Sequence, residues 1–222
     1  MNALKHVAFI MDGNGRWGKK IGKTRNHGHL KGVETVKKIV KASIKFKIPI
    51  ITFYVFSSEN WKRPKEEINY LFKLIKNYFL KEINIIDKQG IKINIFGEVN
   101  KFSSNLKEIL KKTVKITKKN KVITVNLAIN YGSKKEILNS IKKSKKKISI
   151  YNLEKNLYTR RMPNPDILIR TGGYQRLSNF MLWQLAYTEL FFSKKLWPDF
   201  TTFDLLKIIK KFEKIKRNFG KI

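Results

Sequence analysis

The residues best suited to chemistry gather in three places. In the first, Asp12-Gly-Asn-Gly-Arg-Trp-Gly18 combines a carboxylate, a guanidinium and three glycines. Glycines let backbone N–H groups approach an anion, and the Arg16 fork suits phosphate oxygens. Gly13, Gly15 and Gly18 satisfy the dinucleotide spacing G-x-G-x-x-G, but no acid follows at the end of a second strand, where that pattern needs one for the ribose. Asp12 would also repel a bare pyrophosphate unless a cation stood between them, which points to magnesium. Gly22-Lys23-Thr24 imitates the tail of a nucleotide P-loop, yet Trp17 stands where that loop's first glycine belongs. Arg25 and His29 would share one face of a helix, near a helix start that favours anions.

The second place is Phe56-Ser-Ser-Glu-Asn-Trp-Lys-Arg-Pro64, where hydroxyl, amide, indole and guanidinium groups could converge on a ligand. The same residues read as a helix cap, since Ser and Asn cap helices and Pro64 with Glu66 and Glu67 suits a first turn. The two readings are compatible. In the third, Pro165-Asp-Ile-Leu-Ile-Arg170 delivers an arginine into a Gly172-Gly173 turn followed by Arg176 and Ser178, a second anion pocket. Glu189 follows among apolar neighbours, where a carboxylate is costly unless paired or metal-bound. Asp12 and Glu189 are therefore the candidate metal ligands.

These residues need strand ends to hold them. His6–Met11, Ile50–Phe56, Ile91–Phe96, Val122–Ile129 and Asp166–Arg170 read as strands, several apolar on both faces as buried parallel strands are. Between them, Leu30, Val33, Val36, Ile39 and Val40, then Ile68, Leu71, Ile75, Tyr78 and Phe79, recur at helical spacing. The alternation predicts a single α/β domain over residues 1–222, with a mostly parallel sheet flanked by helices on both faces and ligands at the carboxyl ends of the strands. The helix from Pro64 to Asp87 carries more apolar residues than one buried stripe requires. A deeper core or a wall facing a long apolar cavity would both leave that trace. The Lys142–Lys147 run reads as a solvated helix end and linker.

The chain has 222 residues, 42% hydrophobic and 12% aromatic, enough for one sizeable core. It contains no cysteine, which excludes disulfides and thiolate metal sites. Without a signal-peptide pattern or a membrane-length apolar run, a cytoplasmic protein is expected. The formal charge of +33, from 49 Lys+Arg against 16 Asp+Glu, would suit a nucleic-acid partner. The excess is mostly lysine scattered along the chain, so a solvated surface that also gathers polyanionic substrates is the preferred reading.

The blocks HVAFIMDGNGRWGKK, RNHGH, FSSENWKRP, NYGSKKEI, PDILIRTGGYQRLSNFMLWQLAYTELFF and LWPDF, in that order, resemble the undecaprenyl diphosphate synthase family of cis-prenyltransferases. The resemblance implies the cis-prenyltransferase fold with an apolar tunnel, and condensation of isopentenyl diphosphate onto an allylic diphosphate such as farnesyl diphosphate. The product would be a long polyprenyl diphosphate with Z double bonds, a precursor of the lipid carrier for cell-wall glycans. It implies Mg2+ on Asp12 and Glu189. Gly13, Asn14, Gly15, Arg16, Arg25, His29 and Arg63 would hold the allylic diphosphate, with Trp17 and Trp61 lining the pocket and Ser57, Ser58 and Glu59 completing it. Arg170, Arg176, Leu177 and Ser178 would bind isopentenyl diphosphate. Asn60 matches a residue that assists proton removal, although an amide is a poor base and a water or a diphosphate oxygen is the expected acceptor. A homodimer, and peripheral membrane contact for product release, also follow from the resemblance.

Three departures stand out. Tyr174 occupies a position where the family usually has an acid, Ser133-Lys134-Lys135 replaces a Gly-Arg sequence, and Lys216–Gly220 only loosely matches an Arg-rich tail. The rival readings are a non-catalytic binding subunit of the same fold and a basic nucleic-acid binder. Retention of Asp12 and Arg16 argues against the first, and neither feature is needed by the second.

Overall fold

A computed structural model describes residues 3–144 and 148–218 of the chain. The five expected strands form as β1 (His6–Ile10), β2 (Ile50–Ser57), β3 (Ile91–Phe96), β4 (Ile123–Tyr131) and β5 (Ile167–Arg170). A sixth, β6 (Glu189–Phe192), joins at one edge. The order is β3-β4-β2-β1-β5-β6, and every pairing is parallel rather than most of them. Helices α1 (Asn14–Lys20), α2 (Arg25–Lys45), α3 (Lys65–Lys88), α4 (Ser104–Ile116), α5 (Ser133–Lys143), α6 (Ile150–Asn156) and α7 (Thr202–Glu213) make the connections.

Alternation along β1 shows why the strands are apolar on both faces. Val7 and Phe9 enter one core with Ile39 of α2, Phe79 of α3 and Leu205 of α7, while Ala8 and Ile10 enter another with Phe180, Met181 and Leu185. β6 lacks this signature. It is four residues long and leaves Leu190 and Phe192 exposed, so its outer edge gave no buried-strand pattern.

The glycine-rich run after β1 turns at Gly13 (φ 111) and continues as α1. Gly18 and Gly28 serve the crossing of α1 and α2: a Cβ on Gly28 would lie 1.9 Å from the Asn14 carbonyl oxygen, and one on Gly18 2.1 Å from that of Thr24. Their absent side chains let two backbones touch.

In α3, only Ile68, Phe79 and Ile86 among the apolar residues are fully buried. Leu71, Leu74, Ile75 and Tyr78 face a cavity, Phe72 joins an aromatic cluster, and Leu80 and Ile85 face outward. The apolar excess is thus mainly a cavity wall. Lys142 and Lys143 close α5, and residues 145–147 of that lysine run lie outside the described residues, as do Phe219 and Gly220 of the loosely matched tail.

From β1 the chain moves to β2 on one side, whereas β5 leads to β6 on the other. The crevice between β1 and β5 is therefore the switch point where ligands of parallel sheets bind.

Candidate functional site

Asp12 sits at the carboxyl end of β1 and its backbone is fixed on several sides. Its N–H donates to the Ile10 carbonyl, and its own carbonyl accepts from Trp197 N–H at 3.0 Å and Thr171 Oγ1 at 2.8 Å. The carboxylate spans the switch point. Oδ1 takes Arg16 Nη2 at 3.2 Å and Oδ2 takes Arg170 Nη2 at 2.8 Å.

Arg170, the last residue of β5, is 3% exposed. Its Nη1 donates to Ser178 Oγ at 2.7 Å and to the Arg176 carbonyl, while the buried Nε has no partner among the described residues. Such a cation is expensive to bury and holds unused donor capacity. Gly172 (φ 88) lets Arg16 in: a Cβ there would stand 2.5 Å from Arg16 Nη2.

A second cluster forms around Glu67, which the sequence presented only as a first-turn acid of α3. Its buried carboxylate accepts Arg25 Nε at 2.9 Å and Nη2 at 3.2 Å, Arg63 Nη1 at 3.2 Å, and meets His29 Nε2 at 3.1 Å. Burial alone would raise its pKa. Hydrogen bonds from Arg25 and His29, with the charges of Arg25 and Arg63, outweigh that and lower it to about 2. Burial pushes the His29 pKa down despite Glu67, and the charges of Arg63 and Arg25 add to the fall. The two clusters adjoin: a Cβ on Gly15 would touch the Arg25 guanidinium, and Arg63 feels the Asp12 charge. The spacing of Arg63 and Glu67, one helical turn apart, was the available sequence signal.

The Ser57–Lys62 segment is a 3-10 turn with a complete capping box, so the cap reading holds. Asn60 Oδ1 accepts the Ser57 N–H at 3.1 Å. Ser58 Oγ donates to Glu59, whose other oxygen accepts Asn179 Nδ2 at 2.7 Å. Asn179 thereby links this turn to the Arg176–Ser178 loop. Ser178 and Asn179 hold left-handed backbone (φ 50 and 62), and Tyr54 donates its hydroxyl to the Ser178 carbonyl. Leu177 packs against the second core.

Beside these clusters, reached through Met11, Asn14 and His29, lies an apolar cavity of about 120 Å³ with Val33, Val36, Phe53, Leu74, Ile75 and Tyr78 along the walls. Tyr78 and Phe79 separate it from a further cavity of about 240 Å³ toward Ile86 and Ile91. The expected tryptophans are not in this wall. Trp17 donates to Asp199 at 2.7 Å and stacks on His27, and Trp61 donates to Asn130 and packs with Phe56, Phe72 and Phe102. Trp197, from the LWPDF block, lines the cavity instead.

The structure separates the two candidate metal ligands. Glu189 pairs in register with Ile167, at the amino end of the β5–β6 ladder, whereas Arg170 and Asp12 mark the carboxyl end. Glu189 finds Arg217 Nε at 3.7 Å, which supplies the partner its setting required. No group of three or more potential ligands occurs among the described residues. Asp12 alone still fits magnesium: its carboxylate is a hard oxygen donor with 27% of the side chain exposed, and this ion commonly takes one or two carboxylates plus substrate phosphates.

The parallel sheet gathers Arg16, Arg25, Arg63 and Arg170 at one end, beside an apolar cavity, in a single α/β domain. The family described as "Putative undecaprenyl diphosphate synthase" matches residues 10–220, and the chain belongs to that family. It is 43% identical to an isoprenyl transferase of Rickettsia felis, covering 100% of this chain and 96% of that one. An isoprenyl transferase of Clostridium tetani is 44% identical, covering 99% and 90%. Among solved structures, lavandulyl diphosphate synthase from Lavandula x intermedia, in complex with dimethylallyl diphosphate, superposes with a TM-score of 0.93 at 31% identity over 98% of each chain. A probable undecaprenyl diphosphate synthase from Campylobacter jejuni gives 0.86 at 33% identity over 100% of each. No helix among the described residues is long and apolar enough to cross a membrane.

Proposed function

We propose that this isoprenyl transferase extends an allylic diphosphate, farnesyl diphosphate as primer, by successive addition of isopentenyl diphosphate with Z geometry. The product is a long polyprenyl diphosphate, undecaprenyl diphosphate by family expectation, made in the cytoplasm by a homodimer that touches the membrane for release. The observation that carries this reading is the Asp12–Arg16–Arg170 bridge across the switch point, with Met11 and Asn14 on either side of Asp12 lining the apolar cavity.

The allylic head group lies against Arg16, Arg25 and Arg63, with its tail descending past Asn14 and His29. Arg170, Arg176 and Ser178 take the second diphosphate. Asp12 would hold a magnesium ion, whose chemistry there would be charge neutralisation of the departing diphosphate. Arg16 and Arg170, now spent on Asp12, exchange that partner for phosphate oxygens, which they bind bidentately. The apolar walls exclude water from the allylic fragment, whose positive charge water would otherwise capture. Asn60 is engaged in its cap through Oδ1, so the proton released after bond formation passes to water or a diphosphate oxygen.

The test incubates the purified chain with farnesyl diphosphate and labelled isopentenyl diphosphate, with magnesium or with a chelator. Extracted products longer than the primer, formed only with magnesium, are expected. Absence of extension under both conditions overturns the reading.

A further inference from the structure

Three guanidinium groups face one aromatic ring. The Cζ atoms of Arg176, Arg16 and Arg170 lie 4.2, 4.8 and 5.8 Å from the Tyr174 ring centroid, all within cation–π range. The ring is held in place by its turn. Gly172 and Gly173 are both left-handed, and their N–H groups bond the carbonyls of Lys195 at 2.7 Å and Ser193 at 2.9 Å.

The electrostatics of the crevice explain why a ring belongs here. Asp12 has two oxygens and spends one each on Arg16 and Arg170, which leaves Arg176 without an ion-pair partner among the described residues. Three like charges this close repel, and the exposed Arg16 and Arg176 would otherwise hold many rotamers around the fixed Arg170. A carboxylate at position 174 would gather them but would also compete with an incoming diphosphate. The negative face of an aromatic ring orients guanidiniums and leaves their N–H forks and net charge available.

We propose that Tyr174 is a positioning residue that preorganises Arg170 and Arg176 as the receptor for the diphosphate of the isopentenyl substrate, and orients Arg16 at its border with the allylic site, through the face of its ring and not its hydroxyl. This rests on the functional reading above. It assigns a task to the position at which this chain departs from its family's usual acid.

The test compares Tyr174→Phe, Tyr174→Leu and Tyr174→Ala. Removing the ring face is expected to raise KM for isopentenyl diphosphate about tenfold in the Leu and Ala variants, with a smaller rise in the KM for the allylic primer, carried by Arg16, and kcat within about twofold. The Phe variant is expected to rescue KM to within about twofold of the parent. Because the ring is 43% exposed, thermal midpoints are expected to stay together. Calorimetric titration with inorganic diphosphate in chelator should show the same order, weaker for Leu and Ala and retained for Phe. An unchanged or lowered KM in the Ala variant overturns the proposal, as does rescue by Leu, which would make bulk the operative property. If the parent extends no primer, the functional reading fails, and the diphosphate titration alone still decides the role of Tyr174.

Discussion

Two carboxylates organise the cations of this molecule, and they do so in opposite ways. Glu67 is 7% exposed and saturated, with Arg25, Arg63 and His29 all bound to it. Asp12 keeps 27% of its side chain exposed and offers one oxygen to each of two arginines, at the mouth of the crevice. A saturated buried carboxylate fixes geometry and resists exchange, because breaking it strands charges away from water. Asp12 can hand the exposed Arg16 to a ligand at little cost, whereas the buried Arg170 needs the incoming phosphate in its place. Glu67 is thus scaffolding for the cations, and Asp12 is the carboxylate left open for the proposed reaction.

The sharpest way to break this contrast is to remove each acid in turn. Asp12→Ala is expected to lower kcat/KM by about a thousandfold, roughly 4 kcal/mol of transition-state stabilisation, with a loss of about 1 to 3 kcal/mol in chemical denaturation because the buried Arg170 loses its carboxylate. Near-normal turnover in that variant would remove Asp12 from the centre of the site. Acid is the next probe, because it reaches different parts of the fold in sequence. His6 is buried, its Nδ1 bonding the Pro163 carbonyl and Nε2 the Thr52 hydroxyl, and burial lowers its pKa from 6.5 to about 4. The unfolded chain binds this proton first, so stability is complete above pH 6.5 and about 3 kcal/mol is lost as pH falls toward 4. The lowered pKa of His29 acts in the same direction, starting from the same ordinary value. Glu67 contributes only below that, between its ordinary 4.5 and about 2. Denaturation midpoints measured from pH 7 to 4 should decline in the parent and flatten in His6→Gln.

Glu67→Gln keeps the shape but removes the charge. It is expected to destabilise the fold by about 2 kcal/mol and to raise KM for the allylic diphosphate roughly tenfold, with a smaller change for isopentenyl diphosphate. Equal effects on both substrates would mean that the two clusters act as one. The mildest change lies beneath them both. Tyr78→Ala joins the upper and lower cavities, and products about one or two isoprene units longer are expected on chromatography, with initial rates within about threefold. An unchanged product distribution would place the end of the tail elsewhere.

The strands were legible wherever both faces are buried, since such segments read as continuous apolar runs. β6 was not, because an edge strand of four residues carries no run and no alternation strong enough to distinguish it from a loop. The Asp12, Arg63 and Arg170 clusters were legible as charged groups beside strand ends. Glu67 was hidden among ordinary helix-start acids, and Trp197 lay in a block whose order matched but whose place in the cavity wall nothing local revealed. The glycines of the Asp12 run suggested an anion loop. Gly18 of that run also serves a helix crossing, a property of two segments that no single window contains.

The amino-acid sequence by itself determined the layered α/β architecture, the position of Asp12 at a strand end and the chemical kinds of group around it, because periodicity and residue type are local. Only the tertiary structure decided which cations share which carboxylate, that Glu189 lies at the opposite end of the ladder beside Arg217, and that Tyr174 lies under three arginines. Those outcomes depend on strand register and helix crossing, which bring together residues far apart in the chain and settle by distance what composition leaves open.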